Sequence, residues 1–299
     1  MKEVIKLDTV DQYNRLFGLE TLHPLVSIVN LSEALRFPTH FTMNYGVYAL
    51  FLKNVKCGDI RYGRQTYDYQ EGTVTSFAPG QVVEVEMQQG VKPNAHGLLF
   101  HPDLIKGTSL GQDIKHYSFF SYTSAEALHL SEEEKGIFID CLEKIKMELQ
   151  RPIDKHSKRL ISRNIELLLD YCARFNERQF ITRCEANKTI LHKTDLLLSK
   201  YILSGKLADG VLPTEEYCAD AFHLSPRYFS DLLKFETGKS IHEYFQLMRL
   251  NIAKRMLLDK DNTVHMTAKK LGYANVRYFT LLFKKITGIT PAKYKYTQN

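Results

Sequence analysis

Apolar positions along the chain change their period at about residue 131. Between residues 40 and about 122 they fall in short runs separated by polar and turn-forming stretches. One run spans 45–52 and is rich in β formers; another spans 72–77 and is closed by Pro79-Gly80. Residues 82–86 partly alternate, and 97–100 and 117–120 are further runs. Several short strands at close spacing predict a sandwich or small barrel. From Ser131 the spacing becomes helical. Ser131 with Glu134 three residues on matches a capping box. Ile137, Cys141 and Ile145 then recur every fourth position, with Phe138, Leu142 and Leu149 beside them, until Arg151-Pro152 breaks the pattern. A second helix is predicted from Lys158 to Phe175, with Leu160, Ile161, Ile165, Leu168, Leu169 and Cys172 on its stripe. Together they predict an αα-hairpin. Its apolar stripes either cover the β region alone or also pair with a second copy of the chain. Residues 176–192 are mixed and polar, without Pro or Gly, and read as helix or connector.

From Thr194 onward every pattern is helical, and it repeats. Arg227-Tyr228-Phe229 returns 50 residues later as Arg277-Tyr278-Phe279. In the same register Leu232 matches Leu282, Lys234 matches Lys284, Thr237-Gly238 matches Thr287-Gly288 and Tyr244 matches Tyr294. Such a repeat defines the architectural unit. In the first copy Glu215–Phe222 reads as a short helix and His223-Leu224 as a turn. Ser225 then reads as an N-cap, with Pro226 at the first helical position and Gly238 just past the end. In the second copy Thr263 caps a short helix ending at Leu271-Gly272, and Asn275 caps the next, which ends at Gly288 before Pro291. Phe229, Leu232 and Leu233, like Phe279, Leu282 and Phe283, are spaced to face a core. A longer helix from Ser240 to about Leu258 joins the copies. Helix, short turn, helix is the shape that places a recognition helix in a major groove.

A chain of 299 residues suits two domains. We divide it as 1–176, a linker at 177–193, and 194–299. The hydrophobic fraction of 44% and charged fraction of 25% exclude collagen-like and disordered classes. The net charge of +6 is unevenly placed. Residues 1–190 hold 23 Lys+Arg and 24 Asp+Glu, whereas 191–299 hold 17 and 10. Residues 191–262 balance at 10 of each, so the excess lies in the last 37 residues. There Lys269, Lys270, Arg277, Lys284, Lys285, Lys293 and Lys295 face no acidic residue in sequence. Any one of them alone reads as part of a solvated helix face. Seven uncompensated charges within a repeated helix–turn–helix point to a polyanion.

No apolar run approaches the roughly 20 residues of a membrane span. The start, MKEVIKLD, has no signal-peptide core, so a cytoplasmic protein without membrane association is expected. Cys57, Cys141, Cys172, Cys184 and Cys218 are scattered with no C-x-x-C pair, which argues against a disulfide framework or zinc knuckle. They read as small apolar residues of a reduced protein. No catalytic signature, phosphate loop or H-E-x-x-H motif occurs, so no enzyme, cofactor or metal is expected.

Residues 194–299 resemble the AraC/XylS family of bacterial transcription regulators. The resemblance rests on Ala219, on Leu224-Ser225-Pro226-Arg227-Tyr228-Phe229 and on Thr237-Gly238-Lys239-Ser240 in the first copy. In the second it rests on Ala268, Leu271-Gly272-Tyr273, Tyr278-Phe279, Phe283-Lys284, Gly288, Pro291 and Tyr294. It implies two helix–turn–helix units joined by a linker helix, reading adjacent major grooves on one face of promoter DNA. Base contacts are then implied for Arg227, Ser230 and Asp231 in the first unit and for Val276, Arg277 and Leu281 in the second. Either arginine can pair bidentately with guanine. Ser225, Tyr228, Lys234, Asn275, Tyr278, Lys284 and Lys285 are implied phosphate contacts, which fix register rather than sequence. The chain departs from the family at four positions. Asp231 stands where many relatives carry a basic or amide residue; it either accepts from cytosine or excludes a wrong site. Leu281 replaces a frequent polar reader and meets a thymine methyl or nothing. Glu215 and Thr267 fill usually apolar positions, so the first helix of each unit is expected to pack less well.

The N-terminal part resembles the cupin-like sensor domain of many such regulators, through Phe77-Ala78-Pro79-Gly80-Gln81 and His96-Gly97-Leu98-Leu99-Phe100-His101-Pro102. The implied fold class is α+β multidomain: a cupin-like β-barrel or sandwich with an αα-hairpin, then an all-α double helix–turn–helix domain. A metal cupin needs clustered His and Glu ligands. His23, His40, His96 and His101 are isolated, which disfavours the rival reading, a cupin-type metal-dependent enzyme with a nucleic-acid-binding tail. The expected function is sequence-specific transcription regulation. The expected partners are double-stranded DNA, a small-molecule effector, a second copy joined through the N-terminal domain, and RNA polymerase. His40, Tyr45, Tyr48 and Tyr67 are candidate effector contacts, with aromatic core packing as the competing reading for the tyrosines.

Overall fold

The run at 45–52 is not one strand but two, and they lie in different sheets. In the computed structural model, which describes residues 4–38, 40–53, 60–62, 65–66, 72–86, 93–123 and 126–298, β3 (His40–Tyr45) ends where the turn Gly46-Val47 begins, and β4 (Tyr48–Lys53) follows it. The Gly46 amide donates to the Leu7 carbonyl at 2.8 Å, anchoring that corner. The Pro79-Gly80 turn is a second corner. It takes the chain from β7 (Thr73–Phe77) to β8 (Val82–Glu86), which again lie in different sheets. The corners are tied together: the Gly80 amide donates to Tyr45 carbonyl at 2.6 Å, and the Tyr45 amide to Gln81 carbonyl at 2.9 Å.

The chain divides into two units, 1–182 and 183–299. The first is a sandwich. The remaining strands are β1 (Val4–Leu7), β2 (Val26–Asn30), β5 (Ile60–Tyr62), β6 (Gln65–Thr66), β9 (Ala95–Phe100) and β10 (Leu128–His129). One sheet runs β1-β3-β8-β5-β6 and the other β10-β7-β4-β9-β2. Period-two alternation sends Phe41, Met43 and Tyr45 of β3, Val83 and Val85 of β8, and Ala49 and Phe51 of β4 into one core. A short helix, α1 (Val10–Phe17), closes that core with Val10, Tyr13 and Phe17. The second sheet is buried on both faces. Leu50, Leu52, Leu98 and Phe100 point away from the first core yet are fully buried. That is why β4 and β9 read as continuous apolar runs rather than alternating ones.

Helices α2 (Pro102–Ile105) and α3 (Ser109–Asp113) follow β9, and the αα-hairpin is α4 (Glu132–Leu149) and α5 (Ser157–Thr182). The helix α4 packs on β2 and β9, and α5 on β10 and α4, so the hairpin's stripe does cover the sandwich. Glu134 serves twice. Its carboxylate completes the Ser131 capping box and forms a two-point ion pair with Arg178 of α5, at 3.0 and 2.6 Å. The run at 117–120 is corrected too: Ser118–Ser121 is a 3₁₀ turn, not a strand. Its carbonyls go to side chains instead of a ladder. Ser76 Oγ donates to Phe119 carbonyl at 2.8 Å and Gln81 Nε2 to Phe120 carbonyl at 3.0 Å. Tyr117 donates its hydroxyl to Asp170 of α5 at 2.7 Å.

The second unit is helical: α6 (Cys184–Leu203), α7 (Glu215–Ala221), α8 (Pro226–Thr237), α9 (Ile241–Leu258), α10 (Val264–Lys270), α11 (Val276–Thr287) and α12 (Pro291–Gln298). Residues 177–193 thus comprise the end of α5 and the start of α6. One core spans both halves of the repeat, from Leu198 and Ile202 through Phe229, Leu233 and Phe245 to Phe279 and Phe283. Among the described residues no helix is long and apolar enough to cross a membrane. Cys141, Cys172, Cys184 and Cys218 are free thiols, and Cys57 lies outside the described residues.

Candidate nucleic-acid interface

Each copy of the repeat builds its second helix with the same local chemistry. Ser225 accepts from the Tyr228 amide at 3.2 Å and Asn275 from the Tyr278 amide at 2.7 Å, so both helices start at an N-cap. Gly238 and Gly288 end them, each donating its amide to the lysine carbonyl four residues back, that of Lys234 or Lys284. The first helices, α7 and α10, are also matched. They are capped by Thr214 and Thr263, 49 residues apart rather than 50. The register slips at the turn. Leu224 and Tyr273 donate equivalent bonds to Ala219 and Ala268, each at 3.0 Å, and Ala274 is the extra residue before the second recognition helix. The turn needs a left-handed residue, supplied by His223 (φ 57°) in one copy and Gly272 (φ 68°) in the other.

On α8, Arg227, Ser230, Asp231 and Lys234 fall on one stripe by their i, i+3, i+4, i+7 spacing, and on α11 Arg277, Thr280, Leu281 and Lys284 do the same. Thr280 is missing from the sequence-based site; its signal was the 50-residue register with Ser230. The two stripes differ in charge. Arg227 is half-exposed and its Nε lies 3.5 Å from the Asp231 carboxylate. Ser230 donates to Glu215 of α7 at 3.0 Å, so the polar Glu215 ties α7 to α8. Arg277 is exposed, and no ion pair to it occurs among the described residues. Leu281 is 60% exposed. Val276 is partly buried against the core. Ser225 is buried and used as a cap, and Tyr228 is only 5% exposed whereas Tyr278 is 51% exposed. Lys234, Asn275, Lys284 and Lys285 are exposed.

The seven C-terminal cations are not equivalent. Lys295 donates to the carbonyls of Asp259, Lys260 and Asn262, at 3.2, 2.9 and 2.7 Å, and Lys270 to the Asn262 side chain at 3.0 Å. Both hold the loop after α9. Arg249, on α9, is buried and donates to the Leu271 carbonyl at the end of α10. Its guanidinium lies 4.0 Å from the Tyr273 ring centre, a cation–π contact. Burial lowers the Arg249 pKa from its ordinary value and pushes the Tyr273 hydroxyl up to about 12. Arg249 therefore fastens the linker helix to the turn of the second helix–turn–helix copy. Thr267, fully buried on α10, leaves its hydroxyl without a partner among the described residues, the cost of a polar residue at a core position.

The candidate effector residues lie in the first unit. Tyr45 is 2% exposed and stacks on Phe77 with ring centres 5.0 Å apart. Tyr48 stacks on Phe100 at 5.0 Å and meets Phe120 edge-on. His40 is in β3, and Tyr67 lies outside the described residues. His23 accepts from the Leu25 amide and His101 from the Asp103 amide, each at 3.1 Å. Among the described residues no group of three or more His, Cys, Asp or Glu is placed to hold a metal ion.

A family model described as a helix-turn-helix domain matches residues 218–296, the span that holds α7's second half through α12. This is an AraC-type helix-turn-helix domain. Over 79 residues this AraC-type domain is 39% identical to the uncharacterized HTH-type transcriptional regulator YobQ of Bacillus subtilis (strain 168), covering 26% of this chain and 33% of that protein. Over 106 residues the chain is 33% identical to the uncharacterized transcriptional regulatory protein YesN of the same organism, covering 34% of this chain and 29% of that protein. The match thus takes in a third or less of these two relatives' length. Among solved structures, the C-terminal domain of AraT, a response regulator from Geobacillus stearothermophilus, is 29% identical, covers 36% of this chain and 84% of its own, and superposes with a TM-score of 0.31.

Proposed function

We propose that the chain is a transcription regulator that binds double-stranded DNA sequence-specifically through α8 and α11. The observation that carries this is the twofold recurrence, inside an AraC-type domain, of a capped helix with an arginine at its second position and a lysine in its last turn. An N-terminus leaves backbone amides and a positive dipole end toward solvent, which suits phosphate, and the adjacent arginine suits guanine. Arg227, Ser230, Asp231, Arg277 and Leu281 are assigned to base edges, with Val276 at the margin. Ser225, Tyr228, Lys234, Asn275, Tyr278, Lys284 and Lys285 are assigned to phosphates and their positioning. The chain acts by binding rather than catalysis, in the cytoplasm. The first unit serves as a sensor and dimerisation domain, and RNA polymerase is the further partner at the promoter. A small-molecule effector works only if it binds two arrangements of the regulator with different affinity.

Charge placement makes the second helix–turn–helix unit the main electrostatic grip. Duplex affinity measured against salt is the test. Replacing Lys284 and Lys285 by alanine is expected to make the log–log slope shallower by about 2. Replacing Lys234 is expected to change it by about 1. An unchanged slope in the double variant would remove α11 from the interface.

A further inference from the structure

The first unit holds 21 Lys+Arg and 23 Asp+Glu over residues 1–182, yet it gathers five cations around one hollow. The hollow lies between the loop before α3 and the first two turns of α5. It has a volume of about 400 Å³, and Lys106, Lys155, Lys158, Arg159 and Arg163 surround it. That volume lies within the usual range of small-molecule pockets. Two of the cations build its walls. Lys158 donates to the carbonyls of Asp103 and Lys106, at 3.3 and 2.9 Å. Arg163 pairs at 2.8 Å with Glu166, which also accepts from Ser109 at 2.9 Å. The other three, Lys106, Lys155 and Arg159, are exposed and have no carboxylate partner among the described residues.

A second observation lies in the wall itself. Ser162 lines the hollow, is 2% exposed, and its hydroxyl has no hydrogen-bond partner among the described residues. A serine within a helix ordinarily returns its hydroxyl to the carbonyl four residues back. Leaving it unpaired in a buried position costs free energy that a bound acceptor recovers. The helix terminus is not the recognition element, because Asp154 already accepts from the His156 and Ser157 amides at 2.8 and 2.9 Å.

We propose that this hollow binds a phosphate-bearing small molecule of two or more negative charges. Lys106, Lys155 and Arg159 hold its phosphate oxygens, and Ser162 donates to one of them. The partly enclosed shape and the buried hydroxyl favour a small molecule over the phosphate rail of a duplex, which meets exposed cations only. The site is built from residues of the first unit alone and does not depend on the chain's being a regulator.

The probe is inorganic pyrophosphate, titrated calorimetrically into the full chain at fixed ionic strength, with sodium chloride as the blank. One saturable site is expected. Lys155→Glu/Arg159→Glu, two exposed positions whose change leaves the core intact, is expected to weaken it at least about tenfold. Ser162→Ala is expected to weaken it about threefold while leaving the melting temperature of the free protein unchanged or raised, since it deletes an unpaired buried hydroxyl. Lys284→Glu/Lys285→Glu is expected to leave pyrophosphate binding unaltered. Equal affinity in the Lys155/Arg159 variant would overturn the proposal. So would a loss of duplex binding in that variant as large as its loss of pyrophosphate binding, which would assign the hollow to DNA.

Discussion

Replacing Arg227 and Arg277 together by alanine is expected to weaken sequence-specific duplex binding by roughly 30- to 20,000-fold. Each bidentate arginine–guanine pair discriminates by about 1–3 kcal/mol, and two add when their sites are well separated. Non-specific binding at low salt should fall far less, because Lys234, Lys284 and Lys285 remain. The single variants should not be equal. Arg227 lies 3.5 Å from Asp231, so in the free protein part of its charge is already engaged, and leaving Asp231 offsets part of what guanine returns. Arg277 has no ion pair among the described residues and gives up only water. Arg277→Ala should therefore cost more than Arg227→Ala, measured by competition between a selected duplex and bulk DNA.

Gly272→Ala is expected to destabilise the second unit by about 2–5 kcal/mol, read as a lower urea midpoint of the full chain. Two effects add. The residue sits at φ 68°, where a side chain is strained, and its Cβ would lie 2.2 Å from the Leu207 carbonyl oxygen and 2.8 Å from Leu207 Cβ. The first of these is main chain and cannot swing aside. In the first helix–turn–helix copy the same corner holds His223 at φ 57°, so space there admits a side chain. His223→Gly should change stability by less than about 1 kcal/mol, since relief of left-handed strain offsets the entropy lost with glycine. The contrast separates a packing requirement at Gly272 from a conformational one shared by both turns.

The recognition helices were legible because their signals are local. Ser225-Pro226, Asn275 and the two Thr-Gly endings fix four helix ends within a few residues. The one-residue slip at Ala274 was not legible, because Arg-Tyr-Phe pins the register on α8 and α11 while α7 and α10 share little sequence. Arg249 was missed for another reason. Its partners Leu271 and Tyr273 lie more than 20 residues away, and nothing on α9 marks it as a buried clip. In the first unit, strand content was readable but strand boundaries were not. An apolar run reads alike whether it is one strand or two joined at a corner, and Gly46 turns the chain without any polar interruption. At 117–120 three aromatics around Ser118 were ambiguous by themselves. The side chains that capture their carbonyls, from Ser76 and Gln81, sit about 40 residues upstream. The β1 and β2 strands and α1 precede the apolar runs used to find the sheet region, and their pairing is non-local.

In the proposed complex α8 and α11 read successive major grooves on one face of the duplex. Hydroxyl-radical and guanine-N7 methylation footprinting of the full chain, on a duplex selected from a random library, tests it most directly. Two protected major-groove segments are expected about one helical turn apart, roughly 10 base pairs, with a protected guanine in each. Arg277→Ala should release the guanine of one segment and Arg227→Ala that of the other. A single protected segment, or two on opposite faces of the duplex, would contradict it.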